Sequence, residues 1–308
     1  MDGIIIGIDL GGTNLRIGAV TKENQIISPQ IINSSNIADS ENPLATLGDI
    51  IEKYIKENEI ERIDAISIGV SSSVATDKKT VICTTNIRNS KGEAVFYHIN
   101  IASEIQARFG TPVFVNNDTN NILLYDVVSN NLEDQPVVLG IYIGTGVGAS
   151  VLIEGKSLIG ADGVALDLGH IPYYKGDARC SCEKSGCCEC YASGWRLQQI
   201  REEYFPDTDV KDLFTLHSQE ESLKTFIYSC AHVYAIMATI FNPSSIIVGG
   251  GVMEMKDFPR DSFEKEVNRN TGKDVMSYGF KYIYSEEFSG KGVIGAAIFA
   301  RRMMVERA

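Results

Sequence analysis

One short pattern occurs twice in this chain and constrains it more than anything else. Ile5-Ile6-Gly7-Ile8-Asp9-Leu10-Gly11-Gly12-Thr13 is an apolar strand running into a glycine turn, and Val138-Leu139-Gly140-Ile141-Tyr142-Ile143-Gly144-Thr145-Gly146 repeats the plan. A second apolar run follows each copy, at residues 15–20 and 149–153, so each copy reads as a β-hairpin with a glycine-rich turn. Glycine leaves backbone N–H groups uncovered, and two such turns facing each other across a central cleft would clamp a polyphosphate from both sides. A chain of 308 residues also exceeds what one hydrophobic core usually supports, which makes two lobes the expectation.

The intervening sequence alternates strand and helix signals. Helical spacing covers residues 43–57 and 100–109, apolar strands cover 63–70 and 113–116, and another helix pattern starts at Thr119. After the second hairpin come a cysteine-rich segment, helices near 194–204 and 222–241, a strand at 245–248 ending in Gly249-Gly250-Gly251, and a last helix at 290–304 that is expected to return to the first lobe. The pattern predicts an α/β chain with lobes at 1–118 plus about 292–308 and at 119–291.

The net charge of −12 would repel a phosphate backbone, so nucleic acid is not an expected partner. The start of the chain has no signal-peptide pattern, and no apolar run is read as a membrane span, so a cytoplasmic protein is expected.

Several groups on this frame carry chemistry. Asp9 ends a buried strand beside Gly11, Gly12 and Thr13, a place suited to phosphate and a single Mg²⁺ held largely through water. Gly144, Thr145, Gly146 and Gly148 form the second turn, where Tyr142 stands in the position of Asp9. Asp118 follows a strand where a helix begins; it reads either as a base for a hydroxyl proton or as the helix cap. Gly249, Gly250 and Gly251 read either as backbone laid against an adenine ring or as an ordinary loop.

Cys180-Ser181-Cys182-Glu183-Lys184-Ser185-Gly186-Cys187, preceded by Gly169-His170, supplies three thiolates and an imidazole, a set that suits a closed structural zinc site. Cys188 and Cys190 are spare sulfurs that compete for the third thiolate position. Such a staple would draw Asp167 and Glu189 toward one place, and carboxylates suit a polyol because each oxygen accepts from a hydroxyl.

Taken together, these segments resemble the ROK family of sugar kinases and sugar-responsive repressors, from Ile4 to about Ala300. The resemblance implies a two-lobed, actin-like (ribonuclease H-like) ATPase fold and transfer of the γ-phosphoryl group of ATP to the 6-hydroxyl of a hexose. It implies Asp118 as the base, Asp9 and the glycine turns as the Mg·ATP site, and a sugar pocket of Asn86, Asn117, Asp167, His170 and Glu189. His170 would ligate zinc through one ring nitrogen and meet sugar through the other. The stretch from Gly249 through Met255 and Phe258-Pro259-Arg260 resembles the D-allose kinase branch, with N-acetylmannosamine and glucose as alternative sugars. The family admits homodimers.

The chain departs from the family at three places. Ala165-Leu166-Asp167 replaces the usual Ala-Gly-Glu, Ser71-Ser72 replaces a Pro-Gly pair, and Glu183 replaces the glycine after the second staple cysteine. A sugar-sensing regulator is the rival reading. Such proteins carry a helix-turn-helix domain ahead of the kinase-like body, for which the motif at Asp9 is expected to leave no room.

Overall fold

In the computed structural model, which describes residues 3–84, 86–173, 176–286 and 288–307, the N-terminal hairpin forms as expected. β1 (Ile4–Leu10) and β2 (Asn14–Val20) pair antiparallel with Leu10 opposite Leu15, and β3 (Ile26–Asn33) continues the meander. The short α1 (Ser35–Ala38) leads to α2 (Pro43–Glu57), whose N-cap Asn42 accepts from the Ala45 N–H at 3.1 Å with Pro at the first helical position. β4 (Ile63–Val70) then lies parallel to β1. A three-stranded antiparallel sheet follows, of β5 (Ser73–Val74), β6 (Thr80–Cys83) and β7 (Tyr97–Asn100), which the sequence pattern does not signal. α3 (Ile101–Phe109) is capped by Asn100, β8 (Val113–Asn117) pairs parallel with β4, and α4 (Asp118–Ser129) follows without a loop.

The second sheet repeats the first. β9 (Val137–Ile143), β10 (Val147–Ile153) and β11 (Lys156–Ser157) form the meander. After the cysteine segment come α5 (Gly194–Tyr204), α6 (Leu213–His217), α7 (Glu221–Phe241) and β12 (Ser245–Gly249). α8 (Arg260–Asn270), α9 (Lys273–Tyr278), β13 (Lys281–Tyr284) and α10 (Lys291–Arg307) complete the chain. The strand orders β3-β2-β1-β4-β8 and β11-β10-β9-β12-β13 are the same topology, two antiparallel pairings followed by two parallel ones. The duplication read from the glycine turns therefore extends to whole sheets.

The chain divides into two compact units, Met1–Asn130 with Ile159–Ala165 and Phe288–Ala308, and Asn131–Leu158 with Leu166–Glu287. The first boundary falls twelve residues later than the expected 118, because α4 packs along α10 and belongs with it. Residues 159–165 also join the first unit, where Gly163 lies directly against the Val74 backbone. Each unit has its own core. In the first, Ile6, Ile8 and Leu10 of β1 pack with Ile66 and Ile68 of β4 and with Leu47 and Ile51 of α2. In the second, α7 supplies Phe226, Val233, Tyr234 and Met237 against Leu139 and Ile141 of β9.

α7 is the one helix among those described that bears on the membrane reading. An 18-residue window of its 21 residues reaches a mean hydropathy of 1.2, enough in length and composition for a membrane span. Most of that stretch is buried within its own unit, where each large side chain contributes about 1.5–3 kcal/mol to the core. It is the core helix of the second unit.

Candidate active site

The functional side chains of the first unit gather at the C-terminal ends of the parallel strands, where an open α/β sheet places its ligands. Asp9 is the penultimate residue of β1 and Asp118 the first of α4, directly after β8. In the sheet Asp9 lies level with Gly69 of β4, and Gly69 with Asn116 of β8, so the two carboxylates occupy neighbouring positions at one edge. The Gly11-Gly12-Thr13 turn is fixed from behind. The Gly11 N–H donates to the Asn14 carbonyl at 3.0 Å, and Ser34 Oγ donates to the Gly11 carbonyl at 2.7 Å.

Asp9 is nearly enclosed, its side chain 14% exposed. Gly292, in the first turn of α10, lies so close that a Cβ there would come within 2.6 Å of the Asp9 carboxyl carbon. Burial raises the Asp9 pKa to about 7; the Asp118 charge pushes the same way, and Arg16 pulls it back. Arg16 stands opposite Asp9 in the hairpin, with Nη1 3.5 Å from Oδ2.

Asp118 is not the helix cap. Asn117 takes that role, its Oδ1 accepting from the Asn120 N–H at 3.2 Å while Nδ2 donates to the Ser72 carbonyl at 3.0 Å. The cap alternative thus falls on the neighbouring residue, and Asp118 is left with an oxygen that accepts from the Thr119 N–H at 2.7 Å. Burial raises its pKa too, opposed by hydrogen bonds from Thr119 and the Ser71 hydroxyl. Asn86 completes a short relay: its Nδ2 donates to Ser71 Oγ at 3.3 Å, and its backbone carbonyl lies against Gly12.

The second unit holds the other set. The β9–β10 turn is anchored by its carbonyls, Gly144 O accepting from the Gly194 N–H at 2.7 Å and Thr145 O from the Trp195 N–H at 3.2 Å. This fastens it to the N-terminus of α5. Gly249, Gly250 and Gly251 follow β12 beside the same turn: Gly250 has φ +93° and sits on the Ile143 backbone, Val252 N–H donates to Ile143 O at 2.9 Å, and Gly251 faces open space. Glu189 ties the turn to the cysteine segment. Its Oε2 accepts from the Val147 N–H at 2.9 Å, in a space that a side chain at Gly146 or Gly169 would fill.

His170, Cys180, Cys182 and Cys187 bring their ligand atoms within 4.8 Å of one another. Cys182 and Cys187 sulfurs are 3.5 Å apart and Cys180 Sγ is 3.6 Å from His170 Nδ1, close to the edges of about 3.8 Å that zinc–sulfur bonds of about 2.3 Å imply for a tetrahedron. The donor set therefore fits zinc, with Nδ1 toward the cluster and Nε2 turned to Asp167 Oδ1 at 4.0 Å. Of the spare sulfurs, Cys188 Sγ is turned to the Leu168 carbonyl at 2.9 Å, whereas Cys190, with Sγ 3.7 Å from the Arg179 carbonyl, packs beside Cys180 and Cys187.

The geometry thus groups Asp9, Gly11, Gly12, Thr13, Asn86, Asn117 and Asp118 in one unit and the remaining expected site residues in the other. Two participants were not read from the sequence. Arg16 was within reach, since pairing Leu10 with Leu15 across the turn puts residue 16 opposite 9. Ser71 was marked only as a departure from the family's Pro-Gly pair; its bond to Asp118 joins the loop after β4 to the helix after β8, which no local pattern signals.

The sequence profile of the ROK family matches residues 5–303. Over 309 residues the chain is 25% identical to an N-acetyl-D-glucosamine kinase of Vibrio parahaemolyticus, covering 94% of this chain and 97% of that one. Among solved structures it is similar to a ROK family glucokinase from Streptomyces griseus in complex with glucose and AMPPNP, at 26% identity and TM-score 0.77, covering 97% of this chain and all of that one. It also shares its fold with a ROK family transcriptional regulator, a homolog of the E. coli MLC protein, at 21% identity and TM-score 0.84, covering 98% of this chain and 78% of that one. The fold is the actin-like, hexokinase-like one of these proteins. The chain belongs to the ROK family.

Proposed function

We propose that this protein is an ATP-dependent sugar kinase that transfers the γ-phosphoryl group to the 6-hydroxyl of a free hexose. The observation that carries the reading is the pair Asp9 and Asp118, both at the C-terminal edge of one parallel sheet, beside a glycine turn whose Gly11 and Thr13 carbonyls are tied down by Ser34. Phosphoryl transfer to an alcohol asks a protein for a positioned base and a phosphate clamp, and little else.

Asp118 takes the proton of the attacking hydroxyl. Its carboxylate serves as the base while Thr119 and Ser71 hold it in place. In the first unit Asp9 with the turn at Gly11–Thr13 would hold Mg·ATP, the ion supplying neutralisation of the phosphate charge, and the turn at Gly144–Gly148 is the matching phosphate turn of the second unit. Gly249, Gly250 and Gly251 provide bare backbone for the adenosine. Of the groups offered to sugar, Asn86 belongs to the first unit and Asp167, His170 and Glu189 to the second; the amide of Asn117 is already engaged with Ser72 and Asn120, so its part is to fix the strand end from which Asp118 emerges. His170 Nδ1, Cys180, Cys182 and Cys187 would hold zinc, which would fix the imidazole and leave Nε2 and Asp167 on the side offered to sugar.

D-allose is the sugar we put first, on the resemblance of residues 249–260 to that branch. N-acetylglucosamine and glucose stand next, supported by the names of the relatives above. The test is ADP release from Mg·ATP over a panel of allose, glucose, mannose, N-acetylmannosamine, N-acetylglucosamine and fructose, with the reaction lacking sugar as the blank. One strongly preferred sugar is the expected result. No sugar-dependent ADP above the blank would transfer the protein to the sugar-sensing class.

A further inference from the structure

We infer that Leu166 is a specificity-determining residue: a leucine locked in a left-handed turn that sets the position of the Asp167 carboxylate and so selects among sugars. The inference rests on the sugar-kinase reading.

Leu166 has φ +68°, and among the described residues with positive φ it is the only one besides glycine whose side chain is apolar. A branched side chain is disfavoured there because Cβ crowds the following carbonyl, so the surroundings must hold the conformation in place. They do so in two ways. The Leu166 side chain is partly buried against the core of its unit, among the residues that pack around α7. Its carbonyl accepts from the Leu168 N–H at 2.7 Å, two residues on.

The residue enclosed by that bond is Asp167, with φ −70° and ψ 58°, the centre of an inverse γ-turn. So tight a turn leaves its central side chain little choice of direction. The Asp167 side chain projects outward, 71% exposed, and its Oδ1 lies 4.0 Å from His170 Nε2. An aspartate reaches one methylene less far than a glutamate, and its backbone direction therefore decides what it can touch. Leucine anchored in the core fixes that direction; glycine at the same position would accept φ +68° without strain but would give the turn no anchor.

The carboxylate held in this way accepts from hydroxyls at one depth and one orientation. Sugars differing by the inversion of a single hydroxyl are separated by whether that oxygen meets such an acceptor or leaves it unpaired.

Leu166→Gly removes the anchor and leaves Asp167, His170 and the phosphate turns in sequence. The expected result is a rise of about tenfold in KM for the preferred sugar, a narrower gap between that sugar and its epimers, and KM for ATP and kcat within about twofold of the parent. Leu166→Met keeps an apolar anchor and is expected to restore the parental sugar profile. If Leu166→Gly does not fold, Leu166→Ala, which shortens the anchor without relaxing the turn, is read in its place. An unchanged sugar profile in the folded variant overturns the inference, as does an equal loss with ATP and sugar alike. A parent enzyme with no sugar-dependent ADP release overturns the kinase reading and this inference with it; an active parent with an indifferent Leu166 variant overturns the inference alone.

Discussion

Asp9 is a buried carboxylate with a second carboxylate, Asp118, beside it. Its folded pKa of about 7 lies above the ordinary carboxylate value of 3.8, because burial and the neighbouring Asp118 disfavour the charge. The ionised form is therefore penalised in the fold, with no penalty below about pH 4 and the full penalty above about pH 7. Asp9→Asn should raise the melting temperature by about 3–6 °C at pH 8 and change it little at pH 4. A bound divalent cation reverses the preference by displacing the proton. Affinity for Mg·ATP should fall about tenfold per pH unit below 7, with close to one proton released on binding at pH 6, read by calorimetry in two buffers of different ionisation enthalpy. A pH-independent affinity would take Asp9 out of the cation site. A second residue-scale prediction concerns Glu183, exposed and at φ +70°. Glu183→Gly removes that strain without removing packing, and after the entropy lost with glycine it should stabilise by about 0.5 kcal/mol in a denaturant titration.

The elements nearest these residues differ in how openly the sequence announces them. Both hairpins were legible because apolar strands and glycine turns repeat, and α2, α5 and α7 were legible from helical spacing. β5–β7 and β13 were not, since strands of two to four residues carry too few positions for a period to show. Asp118 as first residue of α4, with Asn117 as its cap, lay beyond sequence reasoning for a different reason: both residue types cap well, and one residue of helix start separates the alternatives. The return of α10 to the first unit was expected, but the means was not. A Cβ on Gly295 would overlap the Asn121 backbone carbonyl of α4, so the two helices approach as closely as bare backbone allows. Gly295→Ala must separate them, and a loss of about 2–3 kcal/mol by denaturant titration is expected. The cysteine segment carries its own prediction. One zinc per chain should be found by metal analysis, retained in Cys188→Ser, whose sulfur faces Leu168, and lost in Cys182→Ser.

At the scale of the whole molecule, the same fold is shared by a sugar kinase and a transcriptional regulator, so fold alone does not choose between transferring a phosphoryl group and sensing a sugar. Two features of the chain do. A formal charge of −12 opposes a polyanionic backbone at every approach, whereas Mg·ATP brings its own cation. On the proposed reading, the carboxylate held by Ser71 and Thr119 at the end of β8 is the proton acceptor of a kinase, a task a sensor does not have. These features make one joint expectation. Asp118→Asn should bind sugar with affinity within about threefold of the parent yet lose about 10²–10⁴ in kcat, the range a positioned base supplies. The parent should leave duplex DNA unshifted in a gel at 50 mM salt, with sugar or without it. Sugar binding without turnover in the parent, together with a sugar-dependent DNA shift, would make Asp118 a pocket residue of a sensor; turnover that survives Asp118→Asn would leave the kinase reading in place and give the proton to another acceptor.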